Sequence, residues 1–519
     1  MRRLHTLAFL AVLVLSACAT STPQPGADAP PSDDAVGDAS ITATDVRAHV
    51  AFLASDELQG RDTPSPGLER AADYIADAFE SYGLEPGGDD DSYLQRFPMS
   101  VTRLDEAGSR VTWTSNDGTG AWSFSEDFFV VPTFADAASG RALFAGVPSA
   151  LNGGLPPEAA GSVLFFSIPG RPLETPGWDQ EAMQAVVHAQ QVGAAGLVFL
   201  LDPDLSRDEM AMLQHELSGR SRMPIPIPIV VMRHEAAAEL FATVGAEIAA
   251  LRDTPEALPV TAGDALVEIH TEIVENEHHP ANVVAVLPGS DPVLRDSYVV
   301  FSAHYDHVGV GEPDATGDTI YNGADDNASG TAALMELAQA YASLPTPPAR
   351  SMVFLAVSGE EKGLLGSAYY ADHPTVPAEQ IVANVNMDMI GRNAPDSVRA
   401  IGQEYTSMGA VAQRIAAEHP DLGLVVAYDE HPEERHFFRS DHFNFVRKGI
   451  PAIFFNAGTH EDYHQASDEL SKLDVDKTVR VARLIYHLGE AVASEAAAPT
   501  WTAEGHEVVD GIMQQYGTR

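Results

Sequence analysis

Cysteine is almost absent from this 519-residue sequence, which contains a single one, Cys18. With no second cysteine the chain cannot form an internal disulfide bond, so packing and hydrogen bonds must stabilise it. Long apolar runs are scarce as well. After the N-terminal region no segment offers the ~20 uninterrupted apolar residues that a membrane-spanning helix requires.

Basic residues are also few, with 30 Lys and Arg against 75 Asp and Glu, which gives a formal net charge of -45. Phosphate backbones bind proteins chiefly through Lys and Arg, so the composition excludes nucleic acid as a partner. Hydrophobic residues make up 45% of the chain, enough for a packed core. The length suits two or three domains at ~150 residues each.

The N-terminus carries an export signal. Arg2 and Arg3 precede an apolar run at residues 7–15, and the motif Leu-Ser-Ala-Cys ends at Cys18. A basic region followed by a short apolar one is typical of a secretory signal peptide, and the motif resembles the bacterial lipobox. We therefore predict a protein exported to the bacterial cell envelope and held on the outer membrane, facing the periplasm or the outside, by a lipid on Cys18. The alternative is an ordinary signal peptide with an incidental cysteine.

The second half of the chain alternates apolar strands with helices. Near-continuous apolar runs predict strands buried on both faces, at residues 283–287, 298–303, 352–357, 382–387 and 452–456. The clearest helix between them is predicted at residues 331–342, where apolar side chains line one face. This pattern predicts an α/β fold with a mixed, mostly parallel sheet flanked by helices.

A smaller module interrupts this pattern. Its short β-like runs alternate with helical segments, and no His, Cys or carboxylate cluster with ligand spacing occurs in it, so we interpret it as a non-catalytic insertion. The predicted domains are a signal peptide at 1–17, a flexible tether at 18–40, the first part of the main domain at 41–127, the insertion at 128–262, the catalytic part at 263–494 and a C-terminal tail at 495–519.

Chemistry-bearing side chains follow the predicted strands where each strand ends. In an open α/β sheet ligands bind beyond the carboxyl ends of the strands, so these side chains should meet at one edge. Each of them alone is a weak signal, and their convergence is what indicates a site. The residues concerned are His304, Glu360, Glu361, Asp388 and His464, together with Asp325 and Asp326 in the loop just before the predicted helix at 331–342.

Imidazole and carboxylate ligands without thiolates fit zinc, cobalt or manganese. Two histidines and three carboxylates exceed the three protein ligands of one catalytic zinc. They suit two ions ~3.5–4 Å apart that share a carboxylate. A further carboxylate beside the ions would serve as the general base.

Several motifs resemble the signature set of the dizinc aminopeptidases of the bacterial leucyl aminopeptidase type, a family that also includes glutamate carboxypeptidases and glutaminyl cyclases. The motifs are His-Tyr-Asp at 304–306, Gly-Ala-Asp-Asp-Asn-Ala-Ser-Gly at 323–330, Glu-Glu-Lys-Gly-Leu-Leu-Gly-Ser at 360–367, Asn-Met-Asp-Met-Ile-Gly at 386–391, Tyr-His at 463–464 and Leu-Ala-Ser-Asp-Glu-Leu-Gln-Gly-Arg at 53–61. The resemblance implies the zinc-dependent exopeptidase fold. The insertion resembles a protease-associated domain, which would shape access to the cleft.

The resemblance also implies roles for individual residues. Two divalent ions, zinc by implication, would be bridged by Asp325, with a cis peptide bond between Asp325 and Asp326. The other implied roles are His304 and Asp388 as ligands of one ion, Glu361 and His464 as ligands of the other, Glu360 as general base, Tyr463 as a phenol stabilising the oxyanion, and Asp306 and Asp326 as residues supporting the ligands. We interpret His307, His436 and His442 as hydrogen-bonded loop residues.

The function that these features favour is a metallo-exopeptidase, an aminopeptidase acting on peptide substrates. Carboxypeptidase and dipeptidase activity remain alternatives, because the groups that recognise a free amine or carboxylate cannot be placed from sequence. A glutaminyl-cyclase-like acyltransferase is disfavoured by the complete set of five ligands. A non-catalytic binding lipoprotein would be expected to have lost ligands, and none is missing.

Overall fold

A computed structural model describes residues 36–151, 154–168, 178–201, 223–243, 245–248, 260–429 and 435–516. Among these residues, no helix combines the length and the apolar character that crossing a bilayer demands. The predicted signal peptide, Cys18 and most of the predicted tether lie outside the described residues.

The first of two sheets contains nine strands, numbered in chain order through both sheets. They are β1 (Glu85–Pro86), β2 (Leu94–Arg96), β11 (Ala281–Leu287), β12 (Tyr298–His304), β13 (Ser351–Val357), β14 (Ile381–Met387), β15 (Ser397–Ile401), β16 (Val425–Ala427) and β17 (Ala452–Asn456). Their order is β1-β11-β13-β12-β14-β17-β15-β16, with β2 also paired to β11. The central strands β13, β12, β14 and β17 are parallel, whereas β11 and β15 are antiparallel to their inner neighbours. The predicted mixed, mostly parallel sheet is confirmed.

Helices cover both faces of this sheet, which explains why its strands are apolar throughout. Successive strand residues point to opposite faces. In β13, Phe354 and Ala356 join one apolar core, while Val353 and Leu355 join a second core on the other face. The helices around this sheet are α1 (Ala43–Leu53), α2 (Pro66–Ser81), α5 (Gly330–Ala342), α6 (Leu365–Asp372), α7 (Ser407–Glu418), α8 (His442–Val446), α9 (Val475–Ser494) and α10 (Ala503–Tyr516).

Local signals in the sequence fix where several of these helices begin. Ser65 caps α2 by accepting a hydrogen bond from the amide of Leu68 at 3.1 Å, and Pro66 occupies the first turn, where no backbone N–H is needed. Asp474 caps α9 in the same way, accepting from the amide of Lys477 at 2.9 Å.

The C-terminal segment is not the featureless tail predicted for residues 495–519. It forms α10, and Trp501, Val509 and Ile512 are buried in the second core. The indole N–H of Trp501 donates to the carbonyl of Gly449 at 2.9 Å. The apolar residues of this helix lie on one face. They are too few among the surrounding polar residues to predict a helix from the sequence.

The second sheet contains eight strands and lies within the predicted insertion and its flanks. They are β3 (Met99–Ser115), β4 (Gly118–Trp122), β5 (Phe128–Val131), β6 (Ala137–Gly146), β7 (Val163–Ser167), β8 (Gly196–Leu201), β9 (Ile229–Arg233) and β10 (Val260–His278), with helices α3 (Trp178–Val192) and α4 (His234–Ala242) between them. The sheet therefore extends beyond the predicted bounds of 128–262, because the long antiparallel pair β3 and β10 carries the chain into and out of it. The resemblance to a protease-associated domain stays a prediction.

Candidate metal centre

The carboxyl ends of the central parallel strands deliver the predicted residues to one edge of the first sheet. His304 is the last residue of β12, Glu360 and Glu361 follow β13, and Asp388 directly follows β14. His464 lies in the segment after β17. Because these strands are parallel, their carboxyl ends meet, as the sequence predicts.

The first cluster of possible metal-binding groups comprises His304, Glu360 and Asp388. The Nε2 atom of His304 lies 3.3 Å from Asp388 Oδ1 and 3.3 Å from Asp326 Oδ1. We call His304, Glu360 and Asp388 the His304 group.

The second cluster comprises His307, Asp326, Glu361 and His464, which we call the His307 group. The Nε2 atom of His464 lies 3.1 Å from Glu361 Oε2 and 3.2 Å from Asp326 Oδ2. Nδ1 of His307 lies 3.0 Å from Glu361 Oε1. His307 is thus a hydrogen-bonded loop residue, as predicted, and its partner is a carboxylate of this cluster.

Asp326, not Asp325, faces both groups. Its Oδ1 atom approaches His304 and its Oδ2 atom approaches His464, as a carboxylate between two ions must. The Asp325 carboxylate instead accepts from the amide of Gly391 at 2.7 Å and lies 3.3 Å from His460. The implied bridging role of Asp325 is therefore corrected to Asp326, and the cis peptide bond lies between Asp326 and Asn327. Neighbouring side chains point in different directions, and sequence does not reveal which one faces the edge.

The donor set and its burial fit divalent cations. Three imidazoles and four carboxylates fill the two groups, and thiolates are absent from them. Buried carboxylates require positive charge nearby. Burial opposes a charge on His464, yet hydrogen bonds to Asp326 and Glu361 raise its pKa to about 10, so a proton is held where a metal ion would bind. The residues present fit a pair of such ions.

Comparison with known proteins agrees with this geometry. Residues 282–489 match the model for peptidase family M28. We call residues 282–489 the M28 segment, after the model that they match. Five of the six motifs that resemble the family lie within this segment, as do both groups of the metal centre.

Relatives of this chain include two fungal proteins. A probable zinc metalloprotease of Leptosphaeria maculans is 30% identical over 216 residues, which cover 36% of this chain and 49% of the relative. A probable zinc metalloprotease of Pyricularia oryzae is 37% identical over 257 residues, covering 43% of this chain and 49% of the relative. The chain thus spans about half the length of these curated relatives.

A solved structure supports the fold over a longer stretch. The aminopeptidase from Aneurinibacillus sp. strain AM-1 superposes with a TM-score of 0.54 at 18% identity, covering 89% of this chain and 97% of that one. At this identity the similarity concerns the fold, including strands outside the M28 segment.

Supporting contacts fix the loop that carries Asp326 in the M28 segment. The carboxylate of Asp468 accepts from the amides of Asp325 and Asp326 at 3.1 and 3.0 Å. The side-chain amide of Asn327 donates to the carbonyl of Met387 at 2.9 Å. The loop is thereby tied to the end of β14, next to Asp388. The sequence analysis did not identify Asp468, because it lies about 140 residues away in the chain and belongs to none of the quoted motifs.

Arg61 is a fully buried cation beneath the site. Its guanidinium donates to four backbone carbonyls, those of Leu53, Tyr305, Asn322 and Gly323, at 2.5–3.2 Å. Burial lowers the pKa of Arg61 to about 10, against the opposing effect of Asp306 and Asp326, so the side chain is charged at neutral pH. The motif at 53–61 pointed to the family, but nothing in it indicated this contact.

Asp306 supports the first group, as the resemblance implies. Nδ1 of His304 lies 3.2 Å from the backbone carbonyl and 3.7 Å from the carboxylate of Asp306. The Asp306 carboxylate also accepts from the Thr63 hydroxyl at 3.0 Å and from the Glu360 amide at 3.3 Å. A contact of this kind fixes the ring orientation of a metal-binding histidine.

The pKa values of the adjacent Glu360 and Glu361 are shifted in opposite directions. Burial raises the pKa of Glu360 well above its usual range, and Glu361, Asp441 and Asp388 add to this effect while His304 opposes it. Burial and Asp326 also act to raise the pKa of Glu361, but hydrogen bonds from His307 and His464 bring it down to about 2. Carboxyl groups whose environments separate their pKa values in this way are suited to different roles.

The Ser-Asp-His segment at 440–442 adjoins Asp388. The Ser440 hydroxyl donates to Asp388 Oδ2 at 2.8 Å and accepts from the Asn386 amide at 2.8 Å. Asp441 is fully buried beside the same carboxylates, and burial raises its pKa to about 7. Ser440 thus orients a member of the His304 group.

Tyr463 stacks on the ring of His464, with centroids 3.9 Å apart and the planes 24° apart. Burial raises the pKa of Tyr463, so the phenol keeps its proton at physiological pH. Its role as an oxyanion donor stays a prediction.

Proposed function

We propose that this chain is an exported metallo-exopeptidase, an aminopeptidase that hydrolyses N-terminal residues from peptides with two divalent ions, zinc by preference. The observation that carries the proposal is the position of Asp326, whose two oxygens face two separate groups of metal-binding side chains. The zinc assignment is supported by the donor set and by two relatives named as zinc metalloproteases.

Residues of this chain can supply the remaining chemistry. When bound, the two ions would lower the pKa of water and polarise the scissile carbonyl. Glu360, a half-buried carboxylate beside His304 and Asp388, would take the proton from the attacking water and pass it to the leaving amine. The amide of Glu360 is held by Asp306, so one residue positions both the base and His304. The Tyr463 phenol would donate to the developing oxyanion.

The charge around the centre favours recognition of a free amine over a free carboxylate. The half-buried Glu360 lies beside the buried Asp388 and Asp441, and carboxylates attract the ammonium group of a peptide N-terminus. Arg61 is not available to bind a substrate carboxylate, because it is 1% exposed and its N–H groups donate to backbone carbonyls.

The test is an assay of the protein lacking residues 1–18 on matched peptides with free or acetylated N-termini and with free or amidated C-termini. We expect release of the N-terminal residue from peptides with a free amine whether or not the C-terminus is amidated. A metal chelator should abolish activity, and added Zn²⁺ should restore it. Cleavage of acetylated peptides combined with failure on amidated ones would instead identify a carboxypeptidase. Loss of ammonia from a Gln-initiated peptide, seen by mass spectrometry, would identify a cyclase.

Export and lipid attachment form a separate part of the proposal. They are supported by the basic and apolar regions before Cys18. In a bacterial host, palmitate should label the wild-type chain in the membrane fraction and should not label Cys18→Ser. Equal labelling of both chains would contradict attachment at Cys18.

A further inference from the structure

His307 occupies a position that the five-ligand pattern does not include. Its ring is fully buried, and Nδ1 points at the carboxylates of the His307 group, 3.0 Å from Glu361 and 3.7 Å from Asp326. The ring of His464 approaches it edge-on, with centroids 5.5 Å apart. The two imidazoles therefore flank the same two carboxylates.

The contacts within this group are about as long as the ligand-to-ligand distances around one small ion, with both imidazoles facing Asp326 Oδ2 while Glu361 turns Oε1 to His307 and Oε2 to His464. Bonds of about 2.0–2.1 Å at a tetrahedral zinc place the ligand atoms about 3.3 Å from one another. The contacts of the two imidazoles with Asp326 and Glu361 are 3.0, 3.7, 3.2 and 3.1 Å. The donor atoms of all four residues lie within 4.8 Å of one another.

The backbone holds the His307 ring in this place. Gly323 has φ +57° and packs against the ring, so that a Cβ there would lie 2.6 Å from two ring carbons. The amide of His307 donates to the carbonyl of Arg61 at 3.3 Å, which fixes the backbone from the other side. Two segments therefore hold the ring, one at Gly323 and one at Arg61. The two are also joined to each other, because the Arg61 guanidinium donates to the carbonyl of Gly323.

We propose that His307 is a fourth protein ligand in the His307 group, so that the two metal positions are unequal. An ion bound by His307, Asp326, Glu361 and His464 has the four protein ligands typical of a closed site. An ion beside the His304 group would be bound by His304, Asp388 and the shared Asp326, with Glu360 left as the base, and would keep the open position typical of a catalytic ion. The closed position anchors one ion, and substrate binds at the other. This inference rests on the proposed two-metal function.

A simpler role for His307 is a hydrogen bond to Glu361 that orients this ligand without reaching the ion. Asparagine separates the two roles, because its side-chain amide nitrogen lies about where Nδ1 of histidine lies. It can still donate to Glu361, but a neutral amide is a poor zinc ligand. His49→Asn is the matched control, since His49 is also a buried histidine whose Nδ1 pairs with a neighbour, the Tyr74 hydroxyl at 2.8 Å.

The experiment titrates metal-free protein with Co²⁺ and Zn²⁺ and records the visible Co²⁺ spectrum at each equivalent. For His307→Asn we expect one of the two ions to bind at least about 100-fold more weakly, beyond the loss of roughly 10–100-fold typical of a lost supporting contact. The spectrum of that ion should change, and His49→Asn should match wild type. Unchanged affinity and spectrum in His307→Asn would overturn the assignment.

A measurement on the wild-type protein covers the case in which the variant fails to fold. Loading ¹⁵N-histidine-labelled protein with ¹¹³Cd²⁺ should give scalar coupling between cadmium and three imidazole rings, those of His304, His307 and His464. Coupling to only two rings would overturn the role of His307 and leave the peptidase proposal intact. Absence of any bound ion in wild type would instead remove the proposed function.

Discussion

At the scale of single residues, the centre depends on which atom of each side chain faces the ions. His304 presents Nε2, with Nδ1 near Asp306, whereas His307 presents Nδ1. Asp326 faces both groups, and its neighbour Asp325 is turned toward Gly391 and His460. These two adjacent aspartates therefore have different roles, and substituting each in turn can distinguish the roles.

Asp326→Asn should weaken the binding of both ions by at least about 100-fold, because one carboxylate oxygen faces each group. Asp325→Asn should weaken it by less than about 10-fold, since its amide oxygen can still accept from Gly391. Chelator competition on the two variants measures both affinities. Equal losses would contradict the assignment of Asp326 as the shared ligand.

Glu360→Gln should bind two ions and lose nearly all turnover, since the amide keeps the shape of the side chain and cannot accept the proton. Removal of a general base lowers rates by about 10²–10⁴-fold. Metal content and kcat are measured on the same preparation. Full activity would remove Glu360 from the mechanism, and a loss of one ion would make it a ligand.

At the scale of elements, the site is assembled from loops that join strands to helices and that lie far apart in the sequence. Arg61 donates hydrogen bonds to the last residue of α1 and to the segments after β12 and before α5, while Asp468 holds the turn that precedes α5. These contacts involve mostly backbone groups, so they fix the path of the loops whatever the neighbouring side chains are. Arg61 and Asp468, two buried charged residues outside the two metal-binding groups, therefore help to position the metal-binding side chains.

Arg61→Met should lower the free energy of unfolding of the metal-free protein by about 3–5 kcal/mol, because four carbonyls lose a charged donor and nearby carboxylates lose a counter-ion. The control is Arg70→Met, whose exposed contact with Glu57 at 2.9 Å should matter by less than about 1 kcal/mol. Denaturant titrations of the three proteins compare the effects. Similar losses in both variants would mean that burial of Arg61 has no special weight.

At the scale of the whole molecule, both faces of the first sheet must be covered for the strand ends to be held in place. Segments far apart in sequence do this together, since α1 and α9 pack on one face and α10 on the other. His442, at the start of α8, lies within this second core between Phe437 and Phe454. Burial lowers the pKa of His442 to about 3.

The buried imidazole of His442 makes the free energy of unfolding depend on pH. The unfolded chain takes up a proton on His442 near pH 6.5, whereas the folded chain does so only near pH 3, so stability is complete above 6.5 and falls as the pH drops toward 3. Between pH 7 and pH 5 the loss should be about 2 kcal/mol. In His442→Phe, denaturant titrations of metal-free protein should show this part of the loss removed. An unchanged pH dependence would show that His442 is not the group responsible.

The sequence by itself determined the elements and the kind of chemistry. Apolar runs such as 352–357 identified the central strands because both sheet faces are covered, and polar residues at their ends identified a metal centre because parallel strands end together. The start of α2 is also a local feature, because Ser65 caps it through a hydrogen bond from the amide of Leu68, three residues further on.

Only the tertiary structure decided which atoms face the ions and what supports them. It selected Asp326 over Asp325, brought His307 to Glu361 and placed Arg61 beneath the loops. Each of these outcomes depends on side-chain direction and on contacts across large sequence separations, such as the 261 residues between Arg61 and Asn322. Residue type and spacing indicate which groups are present and on which element they lie. The direction of a side chain is fixed only when the surrounding segments pack.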